Sequence, residues 1–172
     1  MAKRTAKAAE RTATLRMRVA AALVVAFMFG LAQSGCAQPR DERPGYRLSG
    51  EVSPAHIKDW SFSNEIDEIF IQTTPWYGIP HSATIWCAEV DGQLYIGSYG
   101  PGGKKRWEHN VLRNPNAKLR LAGTLYQVTI TPIADDSTGT ALDAAYAKKY
   151  DMAEVFGEDI PEWWYYRVVQ RD

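Results

Sequence analysis

Two hairpin signals constrain the fold of this chain more than any other feature of its sequence. In the first, an apolar-rich run at residues 83–90 is followed by the pair Asp91-Gly92 and then by a second such run at residues 94–99. An Asp-Gly pair suits the two-residue type I′ turn, because both central residues of that turn need positive φ angles. The sequence therefore predicts an antiparallel hairpin that turns at Asp91-Gly92.

The second hairpin signal has a stricter alternation. Leucines alternate with basic residues over 118–121, the pair Ala122-Gly123 follows, and apolar residues alternate with polar ones over 126–131. Pro132 cannot donate a backbone hydrogen bond to a neighbouring strand, so it closes this strand or bends its edge. Two further runs are typical of strands: residues 68–73 and 163–169.

Two helices are predicted between the strands. The first covers residues 104–112 and stops at Asn114-Pro115. The second begins at Thr140, where Thr140 and Asp143 resemble a capping box. The face of this helix predicted to pack on the domain consists of Leu142, Ala145 and Tyr146. Short antiparallel strands with helices between hairpins predict a mainly β, α+β domain: a small, closed antiparallel Greek-key β-barrel with two or three short helices.

The N-terminal residues are typical of an export signal. Residues 1–18 carry six basic side chains and one acidic side chain, and an uncharged apolar run follows at residues 19–31. This run is shorter than the roughly 20 residues that span a bilayer, which disfavours a permanent membrane helix. Ser34-Gly35-Cys36 resembles a bacterial lipobox, in which the cysteine is acylated, although Gln33 stands where such motifs usually have leucine.

We therefore expect residues 1–36 to be a signal peptide of the lipoprotein type, 37–62 a polar tether and lead-in, and 63–172 the folded domain. The expected location is outside the cytoplasm, on the outer or periplasmic side of a bacterial membrane, attached through a lipid on Cys36. Gly35-Cys36-Ala37 would also serve an ordinary signal peptidase, which would release the protein. An uncleaved membrane anchor is the third alternative.

Removal of the signal makes the protein acidic. The full chain has 20 basic and 20 acidic residues, and six basic residues and one acidic residue precede Cys36. The mature chain therefore has 14 basic residues against 19 acidic ones, a net charge of −5. This balance argues against a general nucleic-acid binder. No two of the three histidines, His56, His81 and His109, have the spacing of a metal site, so no metal is predicted.

The densest functional signal runs from Ser98 to Asn110. Three glycines and a proline occupy residues 100–103, and three basic residues follow at 104–106, where the first predicted helix begins. A glycine-rich loop gives a phosphate access to backbone N–H groups, and a helix N-terminus adds partial positive charge. A solvated basic helix start after an ordinary loop explains the same residues, so both interpretations stay open at this point.

The stretch from Glu68 to about Tyr150 resembles the flavin and deazaflavin split-barrel group, which includes pyridoxamine-phosphate-oxidase-like and deazaflavin-dependent nitroreductase-like proteins. The segments that carry the resemblance are Thr73-Thr74, Gly78–His81, Leu94–Ser98, Lys104–Val111, Asn114-Pro115 and Leu119–Gly123. In that group a Trp, two residues and an Asn, and then an Asn-Pro-like turn, follow the loop that binds the cofactor phosphate. The resemblance implies a split barrel, a homodimer, and an oxidoreductase that uses FMN or a deazaflavin.

The resemblance also implies eight cofactor-binding residues. Those that would grip the phosphate are Ser98, Tyr99, Lys104 and Lys105, those that would shape the pocket are Trp107 and Asn110, and those near the ring are Thr84 and Trp86. Between residues 73 and 84 the chain lacks the basic residue that cofactor-binding relatives often carry. A cofactor-free lipoprotein that uses the barrel as a binding or interaction module is therefore the alternative function, and the absence of any cofactor is equally arguable.

Overall fold

The strands form a closed barrel. The computed structural model describes residues 37–40, 43–100, 103–157 and 159–171. The six strands are β1 (Ile69–Thr73), β2 (His81–Val90), β3 (Gln93–Tyr99), β4 (Asn116–Leu121), β5 (Thr124–Pro132) and β6 (Trp163–Gln170). Their order around the barrel is β1-β2-β3-β6-β5-β4, and β4 pairs with β1 to close it. Every pairing is antiparallel, which confirms the predicted fold class.

Helices connect some of these strands. A 3₁₀ helix covers Ser61–Glu65, and the α-helices are α1 (Arg106–Arg113), α2 (Asp136–Lys149) and α3 (Met152–Phe156). Helix α1 is capped at its C-terminus by Asn114, so it ends before Pro115 as predicted. In the described part of the chain, no helix is both long enough and apolar enough to span a membrane.

Both predicted hairpin turns are confirmed. The φ angles are 52° at Asp91 and 78° at Gly92 in the turn between β2 and β3, and 46° at Ala122 and 86° at Gly123 in the turn between β4 and β5. The register follows directly from these turns, since Val90 pairs with Gln93. A positive φ is uncommon for a residue with a Cβ other than Asp or Asn. Ala122 therefore makes the second turn the more strained of the two.

The start of α2 differs from the prediction. The sequence predicts that this helix begins at Thr140, but it begins one turn earlier, at Asp136. The physical reason is Asp135, whose carboxylate accepts a hydrogen bond from the backbone N–H of Thr138 at 2.8 Å and so caps the helix. The Thr140 hydroxyl donates to the carbonyl of Asp136 at 3.0 Å instead of capping the helix.

Two apolar clusters hold the barrel together. The barrel interior contains alternate residues of each strand: Ile69, Ile71, Ile85, Cys87, Leu94, Ile96, Leu119, Leu121, Val128, Ile130 and Val168. The second cluster lies on the outer face of β2, β3 and β6 and is covered by Leu142 and Tyr146 of α2. Strand β3 is therefore buried on both faces. At Gly97 this packing leaves no room for a side chain, because a Cβ there would lie 2.8 Å from the Tyr146 hydroxyl.

The lead-in to the domain lies against the barrel where the structure describes it. Gly45 and Ser82 exchange two backbone hydrogen bonds of 2.9 Å, and the Leu48 N–H donates to the Gln72 side chain at 2.7 Å. Trp60 is only 3% exposed and belongs to the interior cluster. Residues 1–36, including the predicted signal and Cys36, lie outside the described residues, so export and lipidation stay predictions.

Candidate functional site

A cavity of about 590 Å³ opens between β2, β3 and the start of α1. We call it the β2–β3 cavity. Strand pairing brings its walls together, since Trp86 of β2 pairs with Gly97 of β3, and Tyr99 of β3 pairs with Trp163 of β6. Six of the eight predicted cofactor-binding residues line it: Thr84, Trp86, Ser98, Tyr99, Lys105 and Trp107.

The other two predicted residues lie elsewhere. The Lys104 amino group is 5.0 Å from the ring centroid of Trp164, and Lys104 lines a separate cavity of about 760 Å³ between α2 and β6. Asn110 is buried, and its side-chain amide donates to the Thr73 hydroxyl at 2.9 Å. This hydrogen bond ties α1 to the end of β1. The structure therefore does not bring Lys104 and Asn110 into the β2–β3 cavity.

Several lining residues were not predicted as site residues from the sequence, and His81, Arg106 and Trp163 are among them. His81 and Arg106 lie in the segments that carry the family resemblance, and this position in the sequence could have identified them as site residues. No neighbouring residue in the sequence marks Trp163, because it comes to the cavity only through the pairing of β6 with β3. Burial, and then the nearby charge of Arg106, lower the pKa of His81. The imidazole is therefore neutral near pH 7.

The same cavity collects polar atoms that the described residues do not satisfy. His81 Nδ1, Thr84 Oγ1 and Trp163 Nε1 are buried side-chain atoms without a hydrogen-bond partner in the described part of the chain. All three residues line the β2–β3 cavity. Buried polar groups are almost always hydrogen-bonded, because leaving one unpaired is costly. Three such groups around one cavity are the arrangement expected of a site that binds a polar ligand.

Stacked aromatic rings form one wall of the cavity. The Trp86 ring lies parallel to that of Tyr150, with centroids 4.3 Å apart and an interplanar angle of 8°. Tyr99 packs against Trp163 at 4.8 Å and against Phe156 at 4.6 Å. Tyr150 and Phe156 come from the C-terminal ends of α2 and α3. These helices therefore fix the rings that a planar ligand would contact.

A buried carboxylate occupies the N-terminus of α1. Glu108 is fully buried, and its Oε2 accepts hydrogen bonds from the Ser98 hydroxyl at 2.7 Å and from the Lys105 backbone N–H at 2.5 Å. Its Oε1 accepts one from the Tyr166 hydroxyl at 2.6 Å. Burial, and then this hydrogen bond, raise the pKa of Tyr166. Lys105 thus becomes the N-cap, and α1 begins two residues later than predicted.

This network reduces the number of hydrogen-bond donors that the predicted phosphate loop can present to a ligand. The Ser98 hydroxyl proton and the Lys105 N–H, which a phosphate would otherwise receive, are already donated to Glu108. The cationic side chains that line the cavity are those of Lys105 and Arg106. The Lys105 amino group is 5.4 Å from the ring centroid of Tyr99. An anion at this end of the cavity would therefore be held by side-chain charge more than by the helix N-terminus.

Over the residues that the structure describes, no three His, Cys, Asp or Glu side chains cluster as a metal site.

Most residues that line the cavity belong to a segment that matches a conserved bacterial family. The family model described as "Uncharacterized protein conserved in bacteria (DUF2255)" matches residues 62–160, which is more than half of the chain. The chain belongs to the DUF2255 family. The matched segment contains β1 to β5 and all three α-helices but ends before β6. Within this DUF2255 chain, the cavity residues on β2, β3 and α1 are therefore part of the family segment, whereas Trp163 follows it.

Solved structures share the fold of this DUF2255 chain. A conserved hypothetical protein from Mycobacterium tuberculosis is 16% identical, with 73% of this chain and 86% of that chain covered and a TM-score of 0.51. A protein from Listeria innocua assigned as a pyridoxamine 5′-phosphate oxidase is 14% identical, covering 63% and 86%, with a TM-score of 0.46. An FAD-binding protein from Mesorhizobium loti is 11% identical, covering 64% and 86%, also with a TM-score of 0.46. No curated protein matches the sequence significantly. The predicted split-barrel fold is confirmed.

Proposed function

We propose that this protein is an exported, membrane-attached split barrel that binds a phosphate-bearing, flavin-type cofactor in the β2–β3 cavity. The observation that carries the proposal is the group of three unpaired buried polar atoms, on His81, Thr84 and Trp163, around one aromatic-walled cavity. A bound flavin or deazaflavin would supply the redox chemistry of an oxidoreductase. The role of the chain would be to hold and orient the cofactor.

The cavity fits such a group in size and chemistry. Its volume of about 590 Å³ lies within the range of small-molecule sites, which are mostly apolar with a few placed polar groups. Trp163 Nε1 can only donate a hydrogen bond, whereas the Thr84 hydroxyl can donate or accept. Together with the neutral imidazole of His81, they match a heteroaromatic ring that carries both donors and acceptors. Lys105 and Arg106 would meet the phosphate, although Glu68 adds one acidic side chain to the lining.

Titration with FMN tests this proposal. We expect FMN to bind the purified full-length protein and the bound flavin to lose fluorescence, because Trp86 and Trp163 line the cavity. A Thr84→Val variant, which removes the hydroxyl while keeping the side-chain shape, should bind more weakly. An exposed-site variant, Thr140→Val on α2, is the matched control and should bind as the wild type does. A deazaflavin titration under the same conditions compares the two cofactor types.

The cofactor-free binding module remains the second candidate, because one observation favours it. Glu108 satisfies two of the donors that a phosphate would use, so the protein does not need an anion to complete the start of α1. If neither FMN nor the deazaflavin binds to the wild type more tightly than to Thr84→Val, the cofactor proposal is wrong and the binding module is preferred.

Membrane attachment is tested through Cys36. A Cys36→Ala variant should remain unprocessed or move to the soluble fraction, because it lacks the thiol that lipidation requires. Gln33→Leu is the matched control, since it restores the leucine typical of a lipobox and should keep the protein in the membrane fraction. Cell fractionation with immunoblotting measures both. Unchanged processing and partitioning of Cys36→Ala would reject lipidation and leave signal-peptidase cleavage or an uncleaved anchor.

The homodimer implied by the resemblance belongs to the same proposal, and sedimentation of the purified protein would reveal it as a doubled mass.

A further inference from the structure

The loop between β1 and β2 holds large apolar side chains out in solvent. Residues 74–80, which we call the β1–β2 loop, contain no charged residue. Trp76 is 79% exposed, Tyr77 46% and Ile79 56%. The rings of Trp76 and Tyr77 pack edge to face at 5.5 Å, so they form one patch. Contiguous exposed apolar groups of this kind mark a surface that binds a partner.

Helix α1 supports this loop and extends its surface. A cleft at the base of the loop is lined by Pro75 and Trp76 from the loop and by Arg113 from the end of α1. The neighbouring Leu112 is 50% exposed. The hydrogen bond from Asn110 to Thr73 joins α1 to the start of the loop at 2.9 Å. The loop therefore projects from a fixed base.

The N-terminal segment of the domain reaches the same end of the barrel. Thr73 and His81 form the last pair of the β1–β2 hairpin before the loop, and Ser82 follows His81. Gly45 is hydrogen-bonded to Ser82 in both directions. The adjacent Tyr46 donates its N–H to the Ala37 carbonyl at 2.8 Å, which places Ala37 beside this end. Ala37, the first described residue of the chain, therefore lies at the same end of the barrel as the β1–β2 loop.

The charges beside this end of the barrel suit an anionic surface. The mature chain has a net charge of −5, yet Arg43 and Arg47 flank the segment that pairs with Ser82, and both are exposed. Arg113 at the base of the loop is also exposed. In the sequence, two acidic residues, Asp41 and Glu42, immediately precede Arg43. Exposed Trp and Tyr with flanking arginines is the composition found where proteins meet the headgroup region of a bilayer.

We propose that the β1–β2 loop rests on the lipid surface, inserting Trp76, Tyr77 and Ile79 among the headgroups and acyl chains, so that the barrel stands on the membrane at this end. This inference rests on the proposed attachment at Cys36. It adds a second membrane contact and an orientation, since the lipid and the loop would leave the domain on the same side.

Depth-dependent fluorescence quenching tests the inference. The full chain is reconstituted into phosphatidylethanolamine vesicles that contain phosphatidylglycerol, with nitrobenzoxadiazole attached at Trp76→Cys. The matched control is Lys58→Cys, because Lys58 is exposed and lies beside the Asp91-Gly92 turn, at the other end of β2. Cys87 is fully buried, and the unsubstituted chain measures any labelling at native cysteines. We expect the probe at residue 76 to shift to the blue and to be quenched severalfold more by spin-labelled lipid than the probe at residue 58.

The outcomes of this experiment separate a failure of the loop contact from a failure of membrane attachment. If the labelled chain floats with the vesicles but the probe at residue 76 is quenched no more than the probe at residue 58, the loop contact is wrong while attachment stands. If the chain does not float with the vesicles, attachment fails and the loop contact fails with it. A blue shift without lipid that grows with protein concentration would assign the loop to a second copy of the chain and overturn the membrane contact.

Discussion

Replacement of Glu108 by alanine is expected to lower the free energy of unfolding by about 3 to 5 kcal/mol. The side chain is fully buried and accepts hydrogen bonds from the Ser98 hydroxyl, the Lys105 N–H and the Tyr166 hydroxyl. Removing it leaves donors from β3, β6 and the start of α1 without an acceptor. An unpaired buried donor costs more than the net gain of the original bond, so the losses accumulate.

Denaturant unfolding followed by tryptophan fluorescence measures this effect. Glu108→Gln should lose less stability, because its amide keeps an acceptor oxygen and the shape of the side chain. His109→Ala is the matched control on the same helix, since His109 is exposed and should change stability little. A Glu108→Ala variant as stable as His109→Ala would show that this carboxylate does not anchor the helix.

Joint replacement of Lys105 and Arg106 by alanine is expected to weaken FMN binding on the order of a hundredfold. Both cations line the β2–β3 cavity, whereas the Ser98 hydroxyl and the Lys105 N–H are held by Glu108. The phosphate would therefore depend on these two side chains. The barrel should remain folded, because both side chains are exposed.

Lys104→Ala is the matched control for the charge change. Lys104 belongs to the same basic run but lies over Trp164 in the other cavity, so its loss should leave FMN affinity within a few-fold of the wild type. Riboflavin, which lacks the phosphate, should bind the double variant and the wild type alike. Equal losses for Lys104→Ala and for the double variant would show that general charge, and not these two positions, governs binding.

The features that were predicted correctly depend on local chemistry. The turns at Asp91-Gly92 and Ala122-Gly123 require positive φ angles over a few residues, and the strands beside them follow from alternation. The start of α2 was missed because two capping signals lie close together. Asp135 precedes Thr140, and the earlier cap prevailed although Gly139, a weak helix former, falls within the first turn.

The lining of the β2–β3 cavity was predicted only where its residues are local in sequence. Thr84, Trp86, Ser98 and Tyr99 lie on two strands of one hairpin, so the hairpin alone brings them together. Trp163 joins them only because β6 pairs with β3. The roles of two other residues could not be predicted because their partners are remote in sequence. In the sequence Glu108 resembles an ordinary helix residue, whereas in the structure it accepts a hydrogen bond from Tyr166. The position of the Lys104 side chain likewise could not be predicted, because its amino group lies over the ring of Trp164, a residue of β6.

The position of β6 between β3 and β5 also sets the order in which the domain can assemble. The hairpins β2–β3 and β4–β5 connect neighbours in sequence and can form early, whereas the contacts of β3 with the C-terminal strand close a long stretch of chain, which is slow. A chain that emerges N-terminus first, from a ribosome or a translocation channel, keeps the edge of β3 unpaired until β6 has emerged. The β2–β3 cavity, whose wall includes Trp163, is therefore completed at the end of folding, and the exposed edge is the stage at which the chain is most open to aggregation or to capture by a chaperone.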